Sequence, residues 1–548
     1  MIKGMMIRIF LIVLSFIADA MADVHLENLQ KLLNEGLLEA NGAIHNIFQT
    51  WSIDEYPKFL KSCAMSRHSW DMLKFKYMHR VLSAYSNKTA HNLGQSLYDS
   101  HRYHRNDFVI SFLGSSVAAG HDSYFNQSYP ILVGDIMRPV FYKLGIDLDS
   151  RNVALGNNPC MPYDICVSIF SGNDADIIQW EQSYNCGNHP ILEQFIRQAM
   201  VIPSNPILVF SESQTAHWGA DKCNNQPQNE PHILDDEEKE LLASPAIKIV
   251  NELNKNEIHR AWSVLGEMIK HYKGAGIQTF THTAHEQYAC HGPYIKDWEK
   301  GAAAWHPSAI AHRLRASHHS YFWLLCLKDA IVDLSNMLKY RPLDQVAKEV
   351  SRHIIAHHRP LTNTIHKTRV VDNMKCFSDY EPRTIREASL TGRVISGLAK
   401  NSNEKGWKNI IYEDLVHENL VKQSLKFGYK DFKHLIWGEA DAGELSILMN
   451  VSKEGPVFIC ETPGIWGALP DGFDHLWEAK PEVFLTFNVT STNDFSFSKD
   501  KALQMSYKHE KDMEICMQIE KPVEIGQHVM TISPKGTNKI ILAWVLHP

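Results

Sequence analysis

The chain has 548 residues, 44% of them apolar and 21% charged, with a formal net charge of −7. That length is too great for one ordinary domain, and the composition excludes a disordered or collagen-like chain. The mild acidic balance is spread along the sequence without a basic stripe, so nucleic acid is excluded as a partner.

The first residues stand apart. Lys3 and Arg8 precede the apolar run IFLIVLSF, and small residues follow at Ala20 and Ala22. A basic start, a short apolar core and a small-residue exit predict a secretory signal over residues 1–22, cleaved after Ala22 with Ala20 as the alternative. The apolar core falls short of the about 20 residues that a membrane span needs. No later stretch is long and apolar enough, so the expectation is a soluble protein, secreted or held in the lumen of the secretory or endolysosomal system. In such an oxidising compartment the ten cysteines are expected to form disulfides. Cys160 with Cys166, Cys186 with Cys223, and Cys460 with Cys516 are pairings to consider, although spacing alone does not fix connectivity. Sequons at Asn87, Asn126, Asn450 and Asn488 fit a glycoprotein.

Residues 23–105 read as a helical N-terminal region, because HLENLQKLLNEGLLEANGAIHNIF and SWDMLKFKYMHRVLSAYS carry apolar residues at helix spacing. From 106 to 340 buried strands alternate with helices. DFVISFLG, RNVALG, ADIIQWEQ, NPILVFSES and IQTFTH are the predicted strands, and YPILVGDIMRPVFYKLG, HPILEQFIRQAM and a long segment from PSAIAHRL onward are predicted helices. That alternation predicts a three-layer α/β domain with a parallel sheet covered on both faces, which binds ligands at the carboxyl ends of its strands. Residues 341–375 read as a helical linker. From 376 to 548, short alternating runs such as GELSILMNV, GPVFICET and EVFLTFNVT lie between Gly, Pro, Asn and Asp turns, the pattern of a β-sandwich.

Four places in the α/β region carry chemistry. In FLGSSVAAGHD a buried strand ends at Gly114 and two serines follow, an arrangement that exposes a nucleophilic hydroxyl above a parallel sheet. His121 and Asp122 stand close by as pocket residues. In NVALGNNP, Gly156 lets a backbone N–H approach a substrate oxygen. DADIIQWEQSYNC delivers Tyr184 and Asn185 to the same edge, Tyr184 being a further pocket residue. In WHPSAIAHRL, His306 precedes a proline-started helix, where an imidazole can serve as general base. His282, His285 and His291 in HTAHEQYACH lack the HExxH zinc spacing, so neither metal nor cofactor is expected.

In order and spacing these four segments resemble the blocks of the SGNH (GDSL-type) hydrolase family, over residues 106–340. GSSVAAG is similar to the family's nucleophile block, with Ser115 where Asp is usual. NVALG is similar to the glycine block, and HP at His306 and Pro307 to the histidine block. The resemblance implies a catalytic pair of Ser116 and His306, with an oxyanion hole made by the N–H groups of Ser116 and Gly156 and the Asn185 side chain. Asn185 is preferred to Asn173 of SGND, because only Asn185 follows an Asp-led strand; SGND reads as a turn. The chain departs from the family pattern at Ser183, at Cys186, and at Ala303, where an acid normally orients the histidine. Three readings stay open: a Ser–His dyad helped by a backbone carbonyl, an acid from elsewhere (Asp297, Glu299 or Asp122), or lost activity. The family implies an O-acyl ester substrate, chiefly O-acetyl, carried by a small ester or a glycan. An O-acyltransferase and a catalytically silent glycan-binding protein are the alternatives.

Overall fold

The computed structural model describes residues 2–51, 63–65, 67–92, 107–120, 124–156, 160, 164–181, 189–211, 268, 271–272, 276–280, 309–357, 363–366, 372, 374–378, 407–411, 434–439, 442–461, 473–487, 503–505, 507–509, 516–534, 539–542 and 544–548. The N-terminal region consists of α1 (Ile2–Trp51) and α2 (Arg67–Asn92), and α1 runs without a break through the predicted cleavage point. Leu29, Leu33, Ala40, Ile44, Phe48 and Trp51 recur on one face of α1 and are buried, which is the stripe an amphipathic helix uses to dock. No described helix is long and apolar enough to cross a membrane.

Between α1 and α2 lies a short strand that the sequence did not signal, β1 (Cys63–Met65). It pairs antiparallel with β6 (Gln278–Phe280), at the edge of the α/β sheet. The N-terminal region therefore shares one sheet and one hydrophobic cluster with the residues beyond 106.

The remaining strands of that sheet are β2 (Asp107–Gly114), β3 (Asp147–Asn152), β4 (Ile177–Glu181) and β5 (Ile207–Ser211). Their neighbouring pairs, and β5 with β6, are parallel, in the order β3-β2-β4-β5-β6. β2, β4 and β5 are almost wholly buried, as expected of strands covered on both faces. Phe108, Ile110, Phe112, Ile177, Ile207 and Val209 face one helical layer, while Val109, Leu113, Ile178, Trp180, Leu208 and Phe210 face the other. This is the period-two alternation of a strand. The first layer holds α1, α2, α4 (Tyr129–Lys143) and α7 (Ala309–Tyr340); the second holds α5 (Val167–Ser171) and α6 (His189–Met200). α8 (Leu343–His357) follows α7 and packs on α2, where His353 stacks on Phe75 at 4.1 Å.

β3 corrects the sequence reading, which put a strand at RNVALG. The strand begins at Asp147 and ends at Asn152. It is an edge strand of the parallel set, so Asp147 and Asp149 remain accessible while Leu148 is buried, and this polar alternation concealed it. Val153 and Leu155 continue beside β2 through single hydrogen bonds, Val153 N to Phe112 O (3.1 Å) and Leu155 N to Gly114 O (3.1 Å).

At the amino end of β4, Asp176 is buried and accepts from Arg80 Nη2 (2.9 and 3.0 Å) and from the Val109 backbone N–H (3.0 Å), with Lys76 Nζ at 3.5 Å. This cluster fastens α2 to the sheet.

The C-terminal region is built from antiparallel sheets. One contains β10 (Leu445–Val451), β16 (Gly526–Ser533), β12 (Glu482–Phe487) and β13 (Leu503–Met505). A second contains β14 (Tyr507–His509), β15 (Cys516–Ile519), β11 (Phe458–Cys460), β18 (Trp544–His547) and β7 (Lys375–Ser378). A third is formed by β17 (Ile540–Leu542), β9 (His434–Gly438) and β8 (Trp407–Ile411). Ile447, Ile459, Met517, Ile532 and Val545 of the first two sheets meet in one core. The alternate residues of the second sheet, Phe458, Cys460, Cys516 and Leu546, turn away from that core and pack with the α5–α6 layer.

Cys460 and Cys516 stand opposite each other across β11 and β15 and form a disulfide, as the sequence reading considered. Cys166 corrects it: the bond runs to Cys376 on β7, 210 residues away, and not to Cys160. Cys166 is fully buried at the start of α5, in the layer that meets the C-terminal sheet, so its partner comes from that sheet rather than from its own loop. Cys160 is itself disulfide-bonded. Cys186 and Cys223 lie outside the described residues.

Candidate active site

β2 and β4 lie side by side, with β3 beyond one and β5 beyond the other. The chain winds outward in both directions from this pair, and their carboxyl ends form the topological switch point where open α/β sheets bind ligands. Two serines stand there. Ser115 caps α3 (Ser116–Ala119) with an extended backbone (φ −108°, ψ −153°), and Ser116 opens the helix. Ser115 is buried and its hydroxyl has no hydrogen-bond partner among the described residues, whereas Ser116 is partly exposed.

The tightness of this turn follows from its small residues. A Cβ on Gly114 would lie 2.7 Å from Ala118 Cβ and 3.2 Å from Glu181 Cβ, so the Ser115–Ser116 turn folds back on the strand only because Gly114 has no side chain. Gly120 ends α3 at φ +90°, its N–H donating to Ser116 O (3.1 Å) and Val117 O (3.2 Å). Left-handed backbone of this kind favours glycine. Asn152, at the end of β3, donates through Nδ2 to Ala118 O (3.0 Å), Ala119 O (3.3 Å) and Ser128 Oγ (3.1 Å). It thereby ties the Ser116 turn to the start of α4.

Gly156 lies in a buried turn one residue beyond Leu155, whose N–H bonds Gly114 O. The structure thus brings Ser116 and Gly156 to adjoining strand ends. Tyr184, Asn185 and His306 lie outside the described residues, as do His121 and Asp122. The same holds for Asp297, Glu299 and Ala303, and for the histidines at 282, 285 and 291. Asn173 is exposed in the turn that precedes β4, at the opposite end of the strand from Ser116.

Beneath Ser116 lies a polar cluster that the sequence reading missed. Glu181, the last residue of β4, is the register partner of Gly114 and is fully buried. Arg315 Nη1 on α7 donates to Glu181 Oε1 (2.8 Å), and the Tyr129 hydroxyl donates to Oε2 (3.2 Å). Gln179 Nε2 donates in turn to the Tyr129 hydroxyl (2.8 Å), and the Tyr129 backbone N–H donates to His312 Nδ1 (3.3 Å). Burial pushes the Glu181 carboxyl up to about 7, against Arg315 and the Tyr129 hydroxyl, which favour the ionised form. His319 stacks on Tyr129 at 5.5 Å and donates from Nδ1 to Arg315 O (2.7 Å). Burial lowers its pKa to about 3, which keeps the ring neutral. The available signal was an acidic residue closing the apolar strand DIIQWE, and an arginine set among apolar residues in HRLRA.

Among the described residues, no group of three His, Cys, Asp or Glu side chains is arranged to hold a metal ion. What the site offers chemically is a partly exposed hydroxyl at a helix start, a neighbouring glycine turn, and a buried carboxyl–guanidinium pair below them.

No protein-family profile and no curated protein sequence matches the chain. Among solved structures, it is similar to a two-domain esterase active on acetylated mannans, crystallised with mannopentaose. The identity is 12% and the TM-score 0.36, over 80% of this chain and 90% of that one. A likeness this slight has no bearing on the chemistry of the chain.

Proposed function

We propose that the chain is a serine esterase, secreted or luminal, that hydrolyses O-acyl and chiefly O-acetyl esters of carbohydrates. The observation that carries this reading is the place of Ser116: partly exposed, at the head of a short helix, at the switch point of a parallel sheet, with the Gly156 turn on the adjoining strand. In the proposed reaction Ser116 Oγ attacks the ester carbonyl and passes its proton to His306. The N–H groups of Ser116 and Gly156 and the Asn185 side chain hold the oxyanion, each donor worth about 3–4 kcal/mol in the transition state. The alcohol leaves with a proton from His306, and water, activated by the same imidazole, releases the acid from Ser116. Asn185 and His306 enter on the strength of the SGNH resemblance. In this reading residues 1–22 are a signal peptide, 23–105 a helical region, 106–340 the catalytic domain, 341–375 a linker and 376–548 a β-sandwich domain.

Ala303, in place of the orienting acid, favours a second reading: a glycan-binding protein that has lost turnover. One experiment separates the two. Wild-type protein is expected to hydrolyse p-nitrophenyl acetate and to be labelled by a fluorophosphonate probe, and Ser116→Ala to lose both, with kcat down by about 10⁴-fold or more. Equal rates for wild type and Ser116→Ala rule out the nucleophile. A folded wild type that neither turns over nor labels supports the binding protein.

A further inference from the structure

We propose that Glu181 and Arg315 are positioning residues, whose buried carboxyl–guanidinium contact sets the backbone of the nucleophile turn against α7; this inference rests on the esterase reading of the Ser116 site. The pair joins two elements distant in sequence, 134 residues apart, at the one place on the sheet where the Ser116 turn begins. Glu181 is opposite Gly114 in the β2–β4 register, and Gly114 is two residues before Ser116. The two residues are neighbours in the β2–β4 pairing, and a Cβ on Gly114 would crowd Glu181 Cβ and Glu181 O at 3.2 Å, so the strand ends lie close at this point. A shift of Glu181 is therefore a shift of Gly114, and Gly114 carries Ser115 and Ser116 with it.

A second route runs through Tyr129. Its hydroxyl holds Glu181, and its helix is joined through Ser128 to Asn152, which bonds the carbonyls of Ala118 and Ala119 in α3. Glu181 and Arg315 are 0% and 1% exposed. Ionised groups buried this deeply are costly, and well-packed apolar replacements of such a pair are often neutral or stabilising. A pair kept for stability alone is thus replaceable by apolar side chains, whereas a pair kept for geometry is not.

That contrast supplies the test. The full chain is compared with a Glu181→Leu/Arg315→Met double variant and with Tyr129→Phe, which removes one hydroxyl and no charge and is the milder change. Each is measured for unfolding midpoint, for kcat and KM on p-nitrophenyl acetate, and for the rate of fluorophosphonate labelling. Small displacements at a reacting centre cost up to about 100-fold. The double variant is expected to fold with kcat and labelling rate reduced about 10- to 100-fold and KM little changed, and Tyr129→Phe to lose kcat about 3- to 10-fold. If the double variant does not fold, Tyr129→Phe decides alone by the same split between kcat and KM. Wild-type kcat and labelling in Tyr129→Phe, or in a folded double variant, overturn the positioning role while leaving the esterase standing. A wild type that neither turns over nor labels overturns both.

Discussion

The two ends of β4 each carry a buried acidic side chain, and they are satisfied in different ways. At the amino end Asp176 receives two contacts from Arg80, a backbone N–H from Val109 and a nearby ammonium from Lys76. At the carboxyl end Glu181 receives one guanidinium nitrogen and one phenol. The amino end ties α2 to the sheet, and its charges are saturated by groups within the fold. Fewer donors reach Glu181, and burial outweighs them enough to raise its carboxyl to about 7. The two clusters share a strand and a degree of burial, yet one is a fastening and the other lies under the place where ligands bind in sheets of this topology. Perturbed carboxyls of this kind concentrate at functional sites.

Removing the better-satisfied group should cost more. Asp176→Ala leaves Arg80 and Lys76 without their shared partner and the Val109 N–H without its acceptor, and is expected to destabilise by about 3–5 kcal/mol, read by urea unfolding. Activity per folded molecule should be unchanged; a variant of near wild-type stability would show that the amino-end cluster is not a fastening.

At the carboxyl end, the stability that Glu181 contributes depends on pH. A carboxyl whose folded pKa is raised holds its proton more tightly in the native state, so it stabilises the fold in full below the ordinary value of 4.5 and loses that contribution as pH rises through about 7. Over that window wild type should lose up to about 3 kcal/mol of unfolding free energy relative to Glu181→Gln, which has no proton to release. Parallel stability–pH curves for the two proteins would show that burial does not dominate at this position.

Asn152→Ala is the smallest of the three. Loss of its donors to Ala118 O, Ala119 O and Ser128 Oγ is expected to cost about 1–3 kcal/mol and, on the proposed esterase reading, to lower kcat on an acetyl ester through the looser turn around Ser116. A variant with unaltered stability and kcat would remove Asn152 from the account of how the turn is held.

Much of the α/β framework was legible, because burial on both faces leaves an unmistakable apolar run. DFVISFLG, ADIIQWEQ and NPILVFSES each contain the strand they announced, and YPILVGDIMRPVFYKLG holds α4, with Pro130 in its first turn, where its missing N–H costs nothing. β3 was misplaced because an edge strand with alternating aspartates resembles a polar loop. β1 was missed because three residues carry too little periodicity to register. At the candidate site, the serine turn and the glycine turn could be read from strand ends; the acid closing DIIQWE and the arginine in HRLRA are visible in the sequence, but nothing in either segment says that they meet each other and Tyr129.

By itself, then, the sequence determined the alternation of strand and helix and the exposure of a serine at a strand's carboxyl end, because both follow from local periodicity and backbone preference. Only the tertiary structure decided that Arg315 meets Glu181 and that Cys166 meets Cys376, 134 and 210 residues apart. The physical reason is that a charge or a thiol takes the partner that strand order and layer packing bring within reach, and neither is encoded in the spacing of its own segment.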